Sequence, residues 1–288
     1  MKNYKWLLPL VCLLTSNLSA EMDTVSIETA LKGNRIKLEI KGVGGYQGRC
    51  IKMKIKNLQF VSLSITIEAG RRLDSKDSNE QDILVIKDTM LVLLASQEKT
   101  FSVVGYCCQA HNHAPKPKSD FTIGSLEKGT LYNLARYINR TPLPNDVIQY
   151  AIWVVSDNIN PAAIRDDGSA AIQGLRRFIS FEKKITFTWY SISYKKVKDK
   201  VFSGIPEILS GIIDYHTSDY SHITLAIKDS LGNVVDKFDA GQAIGRGDYT
   251  YNLNWNIYKL PNQTYTIIVY QNGEEIKRKP VTLNETAF

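Results

Sequence analysis

The chain is poor in cysteine and histidine, with four of each in 288 residues. Beyond the first twenty residues, no apolar run approaches the ~20 residues that a membrane-spanning helix needs. Stable membrane insertion is therefore not expected. There is no G-x-S-x-G nucleophile turn. The one glycine-rich run, "GVGGYQG" from Gly42 to Gly48, has Gln47 where a dinucleotide fingerprint needs its third glycine. It runs on into a strand pattern, so it reads as a loop. No acid–base or nucleophile–base pair has meaningful spacing, which argues against an enzyme. No catalytic residue, cofactor or metal is expected, and no solenoid repeat is visible.

The N-terminus carries Lys2 and Lys5, an apolar core from Trp6 to Leu14, then a polar stretch closing on Ser19-Ala20. That is the pattern of a secretory signal peptide over residues 1–20. It implies an exported protein: periplasmic, surface-bound or extracellular. Losing Lys2 and Lys5 lowers the formal charge from +7 to +5. This permits contact with anionic surfaces but names no partner. The basic runs at Arg71-Arg72, Lys183-Lys184 and "YKKVKDK" read as solvated faces or linkers, and no nucleic-acid partner is expected.

The remaining length suits two domains. From Thr24 to about Tyr106, runs such as "TVSIETAL", "RIKLEIKGV", "CIKMKIKNL" and "TFSVVGY" alternate apolar and polar residues, as half-buried strands do. Past residue 125 the period becomes helical. Leu131, Leu134, Ala135 and Ile138 share one face, and Val147, Ile148, Ala151, Ile152 and Val155 share another. A third helix fits "DDGSAAIQGLRRFISF". "KKVKDKVFSGIP" reads as a linker. Six further short strands follow, with hairpin-type loops such as "DSLGN" and "QNGE". The expected fold class is α+β. A β-rich domain over 21–195, with helices near 126–180, would precede an immunoglobulin-like β-sandwich over 196–288.

The run "VVGYCCQAHNH" concentrates the unusual chemistry. Without Cys12 of the signal peptide, Cys50, Cys107 and Cys108 remain. Adjacent cysteines rarely bridge each other, so Cys50 can pair with one of the two and one thiol is left over. A metal site from Cys107, Cys108, His111 and His113 lacks the usual spacers and ranks below a plain disulfide. Glu80 and Asp82 beside Gln81 read as a solvated turn. Asp214, His216, Ser218, Asp219 and His222 also read as turn residues. On a helix, Gln149, Ile152 and Trp153 share a face.

Tyr106-Cys107 at a strand end, followed by Ile148-Gln149-Tyr150-Ala151-Ile152-Trp153 on a helix, resembles the thioester domains of bacterial surface adhesins. The resemblance covers about residues 45–190. It implies that the Cys107 sulfur is acylated by the Gln149 side chain with loss of ammonia. Tyr106, Ile152, Trp153 and Phe101 are the candidates for supporting cover, and Cys108 is then left for Cys50. It also implies adhesion to a cell-surface or extracellular protein or glycan, by capture of amines or hydroxyls. The alternative is a non-covalent structural or carbohydrate-binding protein with one disulfide. Residues 208–283, with "DSLGNVV", "LPNQTY" and a closing basic strand, resemble FlgD-like immunoglobulin folds and Bacteroidetes sorting-type domains.

Overall fold

The computed structural model describes residues 24–243 and 245–283. The expected signal peptide lies outside the described residues. The chain is an α+β protein built from β-rich domains, as its sequence pattern indicates.

A closed six-stranded barrel forms the N-terminal core. It comprises β2 (Ile36–Val43), β3 (Gln47–Asn57), β5 (Arg71–Ser75), β6 (Ile83–Val85), β8 (Glu98–Cys107) and β9 (Pro117–Leu126). Their order around the barrel is β2-β3-β8-β6-β5-β9. Strand alternation decides what lies inside. In β3, Ile51, Met53 and Ile55 are buried while Lys52, Lys54 and Lys56 face solvent. Gly105 of β8 marks a close approach. A Cβ there would lie 2.3 Å from Ile83 Cγ2 and 3.3 Å from the Leu84 carbonyl oxygen.

A three-stranded sheet extends this core. In it β1 (Thr24–Ser26) runs parallel to β4 (Leu63–Ile67), which pairs antiparallel with β7 (Thr89–Leu93). The expected strand "TVSIETAL" divides here: Ile27–Lys32 forms a short helix, α1. The Ser26 side chain caps it by accepting from the Thr29 N–H, and Glu28 and Lys32 pair at 2.7 Å. Arg71, expected on a solvated face, is 2% exposed. It binds Glu28 at 2.5 Å, Glu68 at 2.9 Å and the Gly124 carbonyl at 3.1 Å. A buried guanidinium requires this many acceptors.

Three helices follow: α2 (Gly129–Arg140), α3 (Asn145–Ser156) and α4 (Ala170–Lys183). They bury the expected apolar faces in a second cluster against one side of the barrel, on Leu84, Tyr106 and Cys108.

The third cluster is a seven-stranded sandwich. One sheet has the order β10-β11-β14, and the other β13-β12-β15-β16. The strands are β10 (Tyr190–Tyr194), β11 (Pro206–Thr217), β12 (Ser221–Lys228), β13 (Val234–Ala243), β14 (Gly247–Asn256), β15 (Thr264–Gln271) and β16 (Glu274–Thr282). The six expected strands correspond to β11–β16. A boundary at 195/196 would cut β10 from its partner β11, so by strand pairing the sandwich begins at Tyr190. The segment read as a linker instead joins β10 to β11, and its Phe202 is buried in the helical cluster.

Candidate functional site

Strand β8 ends at Cys107, and alternation fixes where its last side chains go. Cys107 belongs to the barrel core with Cys50. Its neighbours Tyr106 and Cys108 belong to the helical cluster. The three thiols are free, so the Cys50–Cys108 bond is not formed, and those two side chains lie in different clusters. The Cys50 thiol lies 3.4 Å from the Gly105 carbonyl.

Helix α3 lies along residues 106–110 and is fastened to them at several points. The Tyr106 hydroxyl donates to Asn145 Oδ1 at 2.7 Å. The Ser156 hydroxyl donates to the Cys108 carbonyl at 2.5 Å, and the Ala110 N–H donates to the Asp157 carboxylate. Between these ties stands Gln149, 1% exposed. Its Oε1 accepts from the Cys107 N–H at 3.2 Å, and its Nε2 donates to the Cys107 carbonyl at 2.8 Å. The carboxamide therefore brackets the main chain of the cysteine expected to lie against it. The Cys107 N–H also donates to the Tyr46 carbonyl at 3.0 Å.

Aromatic side chains cover α3. Tyr46 stacks on Trp153 at 6.1 Å between centroids, Tyr150 meets it edge-on at 5.5 Å, and Phe202 lies 5.8 Å away. Ile152 and Trp153 are buried as expected. The Trp153 Nε1–H has no hydrogen-bond partner among the described residues. Phe101 does not join this cover; it packs against the barrel core.

Burial governs the ionisation of the thiols. It pushes Cys50 up to about 12 and drives Cys107 and Cys108 higher still. For Cys107, the neighbouring Cys50, Cys108 and Asp82 add to the effect of burial. The resting sulfur is thus a neutral thiol. The same surroundings exclude water and hold one N–H donor on the amide oxygen, the atom that carries negative charge when a nucleophile adds to the carbonyl carbon.

The other sequence candidates do not assemble into a site. Cys107 and Cys108 face opposite ways, His111 packs 5.9 Å from the Phe202 ring, and the main chain of His113 bridges Glu80. Among the described residues, no group of three His, Cys, Asp or Glu side chains is placed to hold a metal. Glu80 and Gln81 are buried, not solvated, and Asp82 is occupied by the Ser75 N–H and Gln109 Nε2, both at 2.8 Å. His216 pairs with Asp248 at 2.8 Å, and Asp219 caps Ser221, both in the sandwich.

Sequence reasoning missed Tyr46, Asn145, Ser156 and Phe202. Tyr46 sits in a glycine-flanked hairpin and Phe202 in an apparently irregular lysine-rich segment. Neither has a periodic signal. Asn145 and Ser156 are polar residues at the two ends of α3, outside the apolar face by which the helix is readable.

No family model matches the chain, and no curated protein matches it. Among solved structures, it is similar to a red sea bream transglutaminase at a TM-score of 0.23 and 8% identity. The likeness covers 89% of this chain and 33% of that one. The chain thus spans about a third of that protein. A likeness at this level carries neither fold nor chemistry across. Among the described residues no helix is long and apolar enough to cross a membrane, which says nothing of a β-barrel.

Proposed function

We propose that the chain is an exported surface-binding protein whose N-terminal domain captures amines covalently through a thioester between Cys107 and Gln149. One observation carries the reading: a buried carboxamide on α3 is held by two hydrogen bonds on the main chain of the cysteine 42 positions earlier. In the forming step, the Cys107 sulfur adds to Gln149 Cδ as its proton passes to the departing nitrogen. The C–N bond breaks, ammonia leaves and an S–C bond remains. The Cys107 N–H supports the oxygen throughout. In the capture step, a target amine attacks Cδ, an amide forms, and the sulfur leaves with a proton as a free thiol. Each molecule reacts once. The sandwich acts as the spacer that presents the domain.

A second reading is favoured by the completeness of the Gln149 hydrogen bonding and by the neutral thiol. In it the glutamine is a structural clamp between α3 and the barrel, and binding is non-covalent.

Intact mass separates the two. The thioester form is lighter than the sequence by one ammonia, regains the mass of methylamine on treatment with it, and loses the deficit in Cys107→Ala. A full-length mass unchanged by methylamine eliminates covalent capture and leaves the clamp.

A further inference from the structure

The exterior of the sheet that extends the barrel is unusual. Met90, Val92 and Leu94, alternate residues along β7 and just past it, are all exposed. The loop after β3 adds Leu58, Phe60 and Val61, of which Phe60 is 95% exposed. These two segments are held together. Asn57 Nδ2 donates to the carbonyls of Val61 at 2.9 Å, Leu93 at 3.3 Å and Leu94 at 2.9 Å. The Ser96 N–H also donates to the Gln59 carbonyl at 3.2 Å. The apolar side chains thus extend from one pinned edge. An edge strand and loop of this composition are a liability unless something covers them.

The neighbouring barrel wall is basic. Leu58 lines a shallow cleft with Lys37, Lys54, Lys56, Glu39 and Glu98. Lys37 stands directly opposite Lys56, and Lys41 directly opposite Lys52. Like charges facing each other across strands oppose folding. Lys37, Lys52 and Lys56 make no ion pair among the described residues, whereas Lys54 pairs with Glu98 at 2.8 Å. Glu98 also stands opposite Lys56 and Glu39 opposite Lys54, so the carboxylates offset part of the charge and lysines remain in excess along β2 and β3. Strand β1 begins at this end. The parallel register Thr24↔Ser64 and Ser26↔Thr66 sets Thr24, the first described residue, beside the Leu63 end of β4, from which the Phe60 loop projects.

We propose that this edge is a peripheral docking site for an anionic lipid surface. Phe60, Val61 and Leu94 would enter the interface between headgroups and acyl chains, and the lysines of β2 and β3 would face the phosphates. Exposed apolar side chains beside an excess of lysines match such a surface in both of its properties. The orientation would bring Thr24 close to the bilayer. The proposal is independent of the thioester, whose residues Cys107 and Gln149 lie at the end of β8 and on α3 and not on this edge.

The test uses residues 21–288, since removal of the expected signal peptide takes away no described element. Co-sedimentation is measured with vesicles of phosphatidylcholine and with vesicles containing phosphatidylglycerol as the anionic lipid. Binding is expected to the anionic vesicles only, and to weaken as salt rises. F60S/V61S is expected to lower partitioning by about tenfold or more. K37Q/K56Q is expected to lower it by about fivefold per lysine. These side chains are exposed or half-exposed, and unchanged circular dichroism establishes that the variants fold. Q149M should partition as the parent does, which separates this result from the fate of the thioester. Failure to bind anionic vesicles, or equal binding by F60S/V61S, overturns the proposal. A dimer in sedimentation velocity that F60S/V61S dissociates, without vesicle binding, also overturns it and assigns the edge to a second copy of the chain.

Discussion

Replacing Gln149 with methionine isolates what its carboxamide does. Methionine fills nearly the same volume, so the buried site keeps its packing and loses only two hydrogen bonds. The losses are unequal. The Cys107 N–H keeps the Tyr46 carbonyl as a second acceptor at 3.0 Å, while the Cys107 carbonyl loses its 2.8 Å donor. At ~0.5–1.5 kcal/mol net for each bond, Gln149→Met should destabilise the N-terminal domain by about 1–3 kcal/mol. The assay is urea denaturation followed by tryptophan fluorescence, because Trp153 lies one helical turn after Gln149. The midpoint should fall while the slope of the transition stays constant. Gln149→Met with parental stability would refute the structural claim that these two bonds hold α3 on the barrel. The mass measurement on the same variant reports separately on the thioester.

Further consequences follow from burial and charge. The native thiols of Cys50, Cys107 and Cys108 should resist alkylation at pH 8, because burial shields them and raises all three further above the ordinary thiol value, leaving little thiolate; rapid labelling of the folded protein would contradict this. Gly105→Ala should cost about 1–3 kcal/mol, since its Cβ would lie 2.3 Å from Ile83 Cγ2 between paired strands; thermal denaturation measures it. Glu28 is held down at about 2, first by its hydrogen bond from Lys32 and then by Arg71. A depressed carboxyl stabilises fully above its unfolded value near ~4.3 and ceases to do so as pH falls through its folded value. Acid titration of Glu28→Gln should therefore show a shallower loss of stability between about pH 4.5 and 2, and parallel curves would exclude the role.

What the sequence made legible follows the strength of each local period. The six strands β11–β16 alternate over eight to twelve residues between turn residues, and all were readable. So were the apolar faces of α2 and α3. Helix α1 was not, because six residues give under two turns and "TVSIETAL" fits either period. Strand β5, "RRLDS", contains one large apolar residue. Its inward Arg71 is intelligible only once Glu28, 43 positions away, is in place. The approach of Gln149 to Cys107 was readable only as two motifs in order. Which core the Cys107 sulfur enters depends on strand parity fixed by the barrel, and parity separates Cys108 from Cys50.

That parity also bears on how the site tolerates chemistry. Helix α3 is tied to residues 106–110 by Asn145 before Gln149 and by Ser156 and Asp157 after it. These ties bracket the glutamine on both sides, so its position does not rest on its own two bonds. If Gln149 loses ammonia, the Nε2 bond to the Cys107 carbonyl is lost with it, yet the helix keeps its other fastenings. The Cys107 N–H can remain on the oxygen, since both belong to groups the reaction retains. A site whose frame survives loss of one donor can exist in both the amide and the acylated form. For the same reason, a disturbed frame should abolish the chemistry even with Cys107 and Gln149 intact. Tyr106→Phe removes only the hydroxyl that reaches Asn145. Its effect on the ammonia deficit, set against its effect on stability, distinguishes a frame that aligns reacting groups from one that merely holds a helix.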